Sequence, residues 1–239
     1  MRIKLIIFII IFVFVVTVVG SYHAFFYRGK TTVAYFWDSQ NNVFQEAPMG
    51  SVNIRSESNL GNNSTIEKYK LEKGSLTIED NSKMVWQSPS DWLIDSFVIA
   101  DSNNDGTADI NLSVWKAGNF GTSKPFWIKE NDMSIKNHFF VFDFINGAMN
   151  PIWQSSNLET PNCEFAFVDI DGDEKNDLIT IEGEYSQKLK CDGRYVAIWK
   201  WNGWGFSNEW RSEKGNFSNL KIKEINDVKY IVVDSQIKE

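Results

Sequence analysis

The chain has 239 residues, of which 43% are hydrophobic and 15% aromatic, and its formal net charge is −7. This length and composition are sufficient for one substantial core, so we expect one folded domain. The acidic balance and the absence of a lysine- or arginine-rich cluster argue against a nucleic-acid-binding protein, which needs a basic surface.

Residues 1–30 are predicted to form a membrane anchor. No Asp, Glu, Lys or Arg occurs from Leu5 to Tyr27, and a helix of that run is roughly 35 Å long, enough to cross a hydrocarbon core of about 30 Å. Arg2 and Lys4 favour a cytoplasmic N-terminus, which places residues 31–239 outside the cytoplasm as a single-pass membrane protein. The alternative is a cleaved signal peptide, with Gly20 near the junction, and a secreted protein.

After the anchor, short segments alternate like strands. Thr31–Trp37 is predicted to be a strand followed by a turn at Asp38–Asn42, and Val52–Ile54 is predicted to be another strand.

Two nine-residue acidic loops then lie between short apolar segments that read as strands. Positions 1, 3, 5 and 9 carry oxygen side chains, and position 7 offers a backbone carbonyl. The first loop contains Asp101, Asn103, Asp105, Thr107 and Asp109, and the second contains Asp169, Asp171, Asp173, Lys175 and Asp177. Hard oxygen ligands in this number suit Ca²⁺ better than Mg²⁺ or Zn²⁺. The sequence therefore predicts two calcium sites, and the alternative is a pair of solvated acidic turns.

Three segments share one plan. Each has a strand, a turn with Gly, a strand ending in Trp-[Gln/Arg]-Ser, a polar loop and a hairpin, and the shared tryptophans are Trp86, Trp153 and Trp210. The first two hairpins carry the acidic loops, whereas the third keeps only a short Asn226-Asp227 turn, where we expect no ion. A four-stranded antiparallel unit repeated about every 60 residues is typical of a β-propeller blade. The repeated Trp is expected to pack between neighbouring blades.

The acidic loops and the Trp-x-Ser strands resemble the FG-GAP/VCBS repeat family, the integrin-α-like β-propellers, from about Ile66 to Asp234. The resemblance implies calcium in each of the two acidic loops. Position 6 of the loop, usually Gly, is Gly106 in the first loop and Glu174 in the second. We expect an all-β fold: a small or partial propeller of about four four-stranded antiparallel blades over residues 31–239, preceded by one transmembrane helix. An incomplete propeller can also self-associate.

Cys163 and Cys191 flank the second acidic hairpin. If its strands are antiparallel, both residues lie at the same end, so a disulfide between them is reasonable. Two free thiols are the alternative.

The segment from Ser113 to His138 is the candidate ligand site. It is predicted to be a loop on the face opposite the acidic loops, and its aromatic and polar residues are Trp115, Lys116, Phe126, Trp127, Glu130, Asp132 and His138. Aromatic rings with convergent polar groups suit a sugar or protein ligand. The alternative is that this segment plugs the propeller. The shorter loop at Ser90–Leu93 is expected on the same face.

No catalytic residues are predicted, because no nucleophile, base and acid share a recognisable spacing. The favoured function is a calcium-stabilised module that binds a protein or glycan of the cell envelope. One alternative is a carbohydrate-active enzyme that uses Glu130 and Asp132 as paired carboxylates. The other is a purely structural extracytoplasmic domain.

Overall fold

The computed structural model describes residues 30–47, 67–80, 82–119, 126, 129, 131–186 and 191–236. These residues form strands and no helix, so the described part of the protein is all-β as predicted. None of it is a helix of the length and hydrophobicity needed to cross a membrane. The predicted anchor and the predicted strand Val52–Ile54 lie outside the described residues.

In chain order the strands are β1 (Lys30–Asp38), β2 (Val43–Glu46), β3 (Glu67–Glu72), β4 (Ser75–Asp80), β5 (Lys83–Gln87), β6 (Leu93–Ala100), β7 (Asp109–Ala117), β8 (Ile135–Ile145), β9 (Ala148–Gln154), β10 (Asn162–Val168), β11 (Asp177–Tyr185), β12 (Cys191–Trp201), β13 (Phe206–Arg211), β14 (Phe217–Ile225) and β15 (Val228–Gln236). The predicted strand Thr31–Trp37 is therefore present as β1, and the predicted turn after Asp38 follows it.

The strands form four antiparallel sheets. Their orders are β3-β4-β5, β6-β7-β8-β9, β10-β11-β12-β13 and β14-β15-β1-β2. The last sheet joins the two ends of the described chain, because β1 pairs with β15 from Lys30 opposite Gln236 to Phe36 opposite Tyr230. Four antiparallel sheets agree with the predicted class, although the sheet β3-β4-β5 has three described strands instead of four.

The grouping of strands into sheets differs from the predicted unit. Each acidic loop joins the first two strands of its sheet, β6 to β7 and β10 to β11, whereas the sequence unit placed it between the last two. The reason is that β7 pairs with β8 across the segment after Ala117. In addition, the Gly74 turn joins β3 to β4, and the strand β4, which the sequence reading missed, pairs with the Trp86 strand.

A serine forms the same pair of hydrogen bonds in three sheets. The backbone N–H of Ser155 donates to the Phe139 carbonyl oxygen (3.0 Å), and the Phe139 N–H donates to the Ser155 hydroxyl (2.9 Å). Ser88 with Leu76 and Ser212 with Val196 repeat this arrangement. The serine of each Trp-x-Ser segment therefore ends the last strand of its sheet by satisfying buried backbone groups of the strand next to it.

The repeated tryptophans pack between neighbouring sheets, as predicted. The ring of Trp153 on β9 lies 5.5 Å from that of Phe206 on β13. Trp210 on β13 lies 5.2 Å from the ring of Tyr35 on β1, and Trp86 on β5 packs against the core that includes Phe140 of β8. The hydrophobic cores thus lie between the sheets, and the loops at the strand ends are left for other roles.

Candidate functional site

The loop between β6 and β7 folds around the carboxylate of Asp101. Its Oδ1 accepts a hydrogen bond from the Asp105 backbone N–H (3.1 Å), and its Oδ2 accepts one from the Gly106 N–H (2.9 Å). Asp105 Oδ1 in turn accepts the N–H of Thr107 (2.9 Å). Hydrogen bonds from the Thr107 hydroxyl and the Asn103 amide hold the pKa of the Asp105 carboxyl below its usual range. The loop therefore keeps this carboxylate charged.

Asp109 closes the same loop and is fully buried. Its Oδ2 accepts hydrogen bonds from the backbone N–H (2.9 Å) and the hydroxyl (2.7 Å) of Ser102. Its Oδ1 is buried and has no hydrogen-bond partner within the described part of the chain. Burial raises the pKa of Asp109, partly offset by the Ser102 hydrogen bonds. An unpaired buried carboxylate oxygen is costly, and a bound cation would remove that cost.

The loop between β10 and β11 repeats this backbone. Asp169 Oδ1 accepts the Asp173 N–H (3.1 Å), and Asp169 Oδ2 accepts the Glu174 N–H (3.3 Å). The buried Asp177 accepts the Ile170 N–H at its Oδ2 (3.2 Å). Position 6 has a positive φ in both loops, +91° at Gly106 and +63° at Glu174.

A lysine reaches into the second loop. Nζ of Lys200, on β12, lies 2.7 Å from Asp171 Oδ2, 2.9 Å from Asp173 Oδ2 and 3.6 Å from Asp177 Oδ1. Burial alone would lower the pKa of Lys200, but the hydrogen bonds to Asp171 and Asp173 and the charge of Asp177 raise it. Burial raises the pKa of Asp177 to about 7, against the opposing charge of Lys200.

Three carboxylates of the second loop converge. Within the described residues, Asp169, Asp171 and Asp177 each place one oxygen within 4.8 Å of the others, and such a group could hold a metal ion. Two of these three carboxylates also contact Lys200. Asp101, Asp105 and Asp109 of the first loop form no such group of converging carboxylates among the described residues, and position 3 of that loop is Asn103.

The β6–β7, β10–β11 and β14–β15 hairpins meet at one edge of the molecule. The Asn176 N–H donates to Asn104 Oδ1 (2.7 Å), and the Asn176 side chain donates to the Asp101 carbonyl oxygen (2.9 Å). From the β14–β15 hairpin, Lys229 Nζ donates to the Asp169 carbonyl oxygen (2.6 Å). That hairpin has the short turn predicted at Asn226-Asp227, with φ of +51° and +61°, and no acidic loop.

The cysteines are bonded to each other. Cys163 on β10 and Cys191 on β12 form a disulfide with a Cα–Cα distance of 5.2 Å. The bond passes across Gly183 of β11, where an added Cβ would lie 2.5 Å from Cys163 Sγ and 2.7 Å from Cys191 Sγ. Any side chain at position 183 would clash with both sulfur atoms, so the disulfide requires glycine there.

The predicted ligand segment is not a loop throughout. Trp115 and Lys116 belong to β7 and His138 belongs to β8, and all three are buried. Lys116 Nζ donates to the Ala117 carbonyl oxygen (2.7 Å). The sequence reading was wrong to place these residues on a loop, because the pairing of β7 with β8 extends to Ala117 opposite Ile135.

The remaining residues of that segment are scattered. Phe126 is 93% exposed, and Asp132 is exposed and accepts hydrogen bonds from the N–H and hydroxyl of Ser134, which lower its pKa. Trp127 and Glu130 lie outside the described residues. Among the predicted ligand residues that the structure describes, Trp115, Lys116 and His138 are buried whereas Phe126 and Asp132 are exposed, so these five do not form one ligand surface.

Buried polar groups form hydrogen bonds between the sheet β6-β7-β8-β9 and the sheet β10-β11-β12-β13. Asn137 of β8 accepts the Asn162 N–H at its Oδ1 (3.0 Å), and its own N–H donates to the Tyr185 hydroxyl (3.2 Å). Tyr185 donates to the Leu158 carbonyl oxygen (2.7 Å), and its ring lies edge-on to Trp115 at 5.7 Å. Trp115 is therefore part of the buried packing between these two sheets.

A cavity of about 580 Å³ lies at the same edge as the end of β7. Its lining includes Gly74, Gln87, Ser90, Asp91 and Leu93. It coincides with the short loop at Ser90–Leu93 that the sequence placed on this face.

The sequence reading missed three charged residues of structural weight. Lys200 enters the second acidic loop. Glu182 is buried; its carboxylate forms an ion pair with Arg211 at 2.6 Å and accepts a hydrogen bond from the Trp199 indole N–H at 2.8 Å. The available signal was the alternation of strand β12, in which Lys200 stands between two tryptophans, but its partner could not be read without the register.

No protein-family model, curated protein or solved structure matches this chain.

Proposed function

We propose that this protein is a membrane-anchored, extracytoplasmic binding module whose four sheets are the blades of a small calcium-stabilised propeller of the FG-GAP/VCBS type. Closure of the blades is supported by the sheet that combines β14 and β15 with β1 and β2, since pairing of the first described strand with the last joins the two ends of a row of sheets into a ring.

The observation that carries the calcium proposal is the buried Asp109. Its Oδ1 has no partner among the described residues, although Oδ2 is fully engaged by Ser102. Asp101, Asn103 and Asp105 stand in the same nine-residue loop and provide further oxygens. Ca²⁺ takes six to eight oxygen ligands at irregular angles, so a loop of this kind suits it.

Strand direction gives the proposed orientation at the membrane. β1 runs from Lys30 toward its turn after Asp38, and that turn shares the edge of the acidic loops because successive antiparallel connections alternate between edges. Lys30 therefore lies at the opposite edge. An anchor within residues 5–27 would hold this edge toward the bilayer, and the acidic loops would point away from it.

The proposed ligand surface lies at the edge of Lys30. Trp115, Lys116 and His138 are buried and cannot contact a ligand directly. The proposed surface is therefore formed by the exposed Phe126 and by the cavity beside Asp91. The ligand is a protein or glycan of the envelope. The enzyme alternative gains no support at Asp132, because a general acid of a glycosidase needs a raised pKa and that of Asp132 is lowered.

Thermal unfolding of the full chain in detergent tests the calcium part. We expect a higher Tm in calcium than in chelator, since an occupied site at about a hundred times its Kd adds roughly 2.7 kcal/mol. Asp105→Ala should lower the calcium-dependent shift, and Glu224→Ala, an exposed acid on β14, is the matched control. An equal Tm in calcium and in chelator would refute the proposal.

A further inference from the structure

The two acidic loops have the same backbone. Positions 4 and 6 take positive φ in both, at Asn104 and Gly106 in the first and at Gly172 and Glu174 in the second. Position 1 accepts the N–H groups of positions 5 and 6 in both. Position 9 accepts the N–H of position 2 in both. The two loops therefore differ in side chains, such as Asn103 against Asp171 at position 3, and in the residues that face them, but not in backbone.

The residue that faces each loop has opposite charge in the two sheets. Phe142 pairs with Ile110 and Trp199 pairs with Leu178, so the next residues, Asp143 and Lys200, hold the same position on the third strand. The first loop is faced by a carboxylate, and the second by an ammonium.

Lys200 contacts two of the three residues that could hold a metal ion in the second loop. Its Nζ lies between Asp171 Oδ2 at 2.7 Å and Asp177 Oδ1 at 3.6 Å, and these two residues belong to the group of converging carboxylates. Convergence of the oxygens is thus explained by the ammonium as well as by a metal ion. A metal ion could enter only by moving Lys200 away from carboxylates that have little exposed surface.

The charges of the two loops differ accordingly. The second has four aspartates and contacts Lys200 and Lys229, which leaves −2. Asp101, Asp105, Asp109 and Asp143 give −4 at the first loop, and no lysine or arginine of the described residues forms an ion pair with them. In the second loop, Asp177 Oδ1 faces Lys200, whereas the equivalent Oδ1 of Asp109 has no partner within the described chain.

We infer that the two loops are not equivalent: the β6–β7 loop binds one divalent cation, and the β10–β11 loop is closed by the Lys200 ammonium as a tethered cation. This inference rests on the proposed calcium function and specifies which loop performs it. It replaces the expectation of two ions with one ion per chain.

Calcium stoichiometry of the full chain in detergent, measured by isothermal titration calorimetry, tests this inference. The wild-type protein should bind one Ca²⁺, and Lys200→Met, which removes the charge and keeps the length, should bind two. Asp171→Ala should leave the wild-type stoichiometry at one and return the Lys200→Met protein from two to one. The reciprocal change Asp143→Lys should reduce binding by the otherwise wild-type protein from one ion to none.

The outcomes separate the two proposals. Two ions on the wild-type protein would overturn the role of Lys200 and leave the calcium function intact, whereas none would refute the calcium function itself. One ion on a folded Lys200→Met protein, checked by circular dichroism, would also overturn the inference. If Lys200→Met does not fold, Asp143→Lys decides: retention of one ion by that variant contradicts the inference, and its loss supports it.

Discussion

His138 lies on β8 with none of its surface exposed, and its Nδ1 lies 3.3 Å from the Ser155 carbonyl oxygen. Burial lowers its pKa to about 4, and the nearby Lys116 acts in the same direction. His138, which the sequence predicted to contact a ligand, is instead a neutral imidazole in the core. The continuous apolar run of β8 could have suggested this, because His138 stands directly before Phe139, Phe140 and Val141.

His138 should make the protein less stable in acid. Between pH 6.5 and 4 the unfolded chain binds a proton that the folded imidazole does not, so the free energy of unfolding falls as pH falls through this window, by about 3 kcal/mol at pH 4. Urea unfolding at pH 7, 5.5 and 4 measures this effect.

The control is His138→Gln, which keeps the carboxylates that titrate in the same range. Its free energy of unfolding should depend less on pH than that of the wild-type protein. Equal pH dependence in the two proteins would show that His138 does not bear the predicted shift.

At position 6 of the acidic loops, Gly106 in the first loop corresponds to Glu174 in the second, and the non-glycine residue there carries backbone strain. Gly106 takes φ +91° with no atom within 4 Å of an added Cβ, and Glu174 takes φ +63°. A non-glycine residue in the left-handed region costs roughly 1–2 kcal/mol. Glu174→Gly should therefore stabilise the second loop, and urea unfolding of this variant and of the wild-type protein measures the difference.

At the scale of elements, the disulfide joins two strands that are not hydrogen-bonded neighbours. Cys163 lies on β10 and Cys191 on β12, and β11 runs between them. The pairing of β10 with β11 skips Cys163, and that of β11 with β12 shifts next to Gly183. These irregularities and the missing side chain of Gly183 allow the bond to cross the middle strand.

Loss of the disulfide should destabilise the sheet β10–β13. Its two cysteines are 28 residues apart, and in the chain-entropy model a loop of that size contributes about 3–4 kcal/mol. We expect the double variant Cys163→Ser, Cys191→Ser to have a lower Tm by several degrees and to lose its response to reductant. Mass spectrometry of non-reduced peptides provides the direct check, and two free thiols in the native protein would contradict the structure.

At the scale of the whole molecule, strand direction places exposed aromatic residues at opposite edges. Phe126 lies between β7 and β8 and is 93% exposed, whereas Trp204 lies in the turn between β12 and β13 and is 82% exposed. Because successive connections of an antiparallel sheet alternate between edges, Trp204 shares the edge of the acidic loops and Phe126 lies at the edge of Lys30.

These two residues form a matched pair for the proposed ligand surface. Phe126→Ala should weaken binding of the full chain to isolated envelope material, and Trp204→Ala should leave it unchanged. Both should keep the Tm within a degree or so, since exposed substitutions usually cost less than about 0.5 kcal/mol. Binding lost only in the Trp204 variant would move the ligand surface to the edge of the acidic loops.

Features contained within a few consecutive residues were predictable from the sequence. The strand β1, the two acidic loops and the turn at Asn226-Asp227 all occur where the sequence placed them. In each case neighbouring residues alone determine the local backbone, as the positive φ at Gly106 and Glu174 illustrates. The Trp-x-Ser segments were also found, although the double hydrogen bond of Ser155 with Phe139 was not.

Only the tertiary structure decided which strands share a sheet and what faces each loop. β7 and β8 pair across an intervening segment, so the repeat read from the sequence started two strands too late and left Trp115 and His138 outside the core. Asp143 and Lys200 come from third strands, far along the chain from the loops they face. Their effect depends on register, which long-range packing sets, and a one-residue slip would turn each side chain to the other face of its sheet.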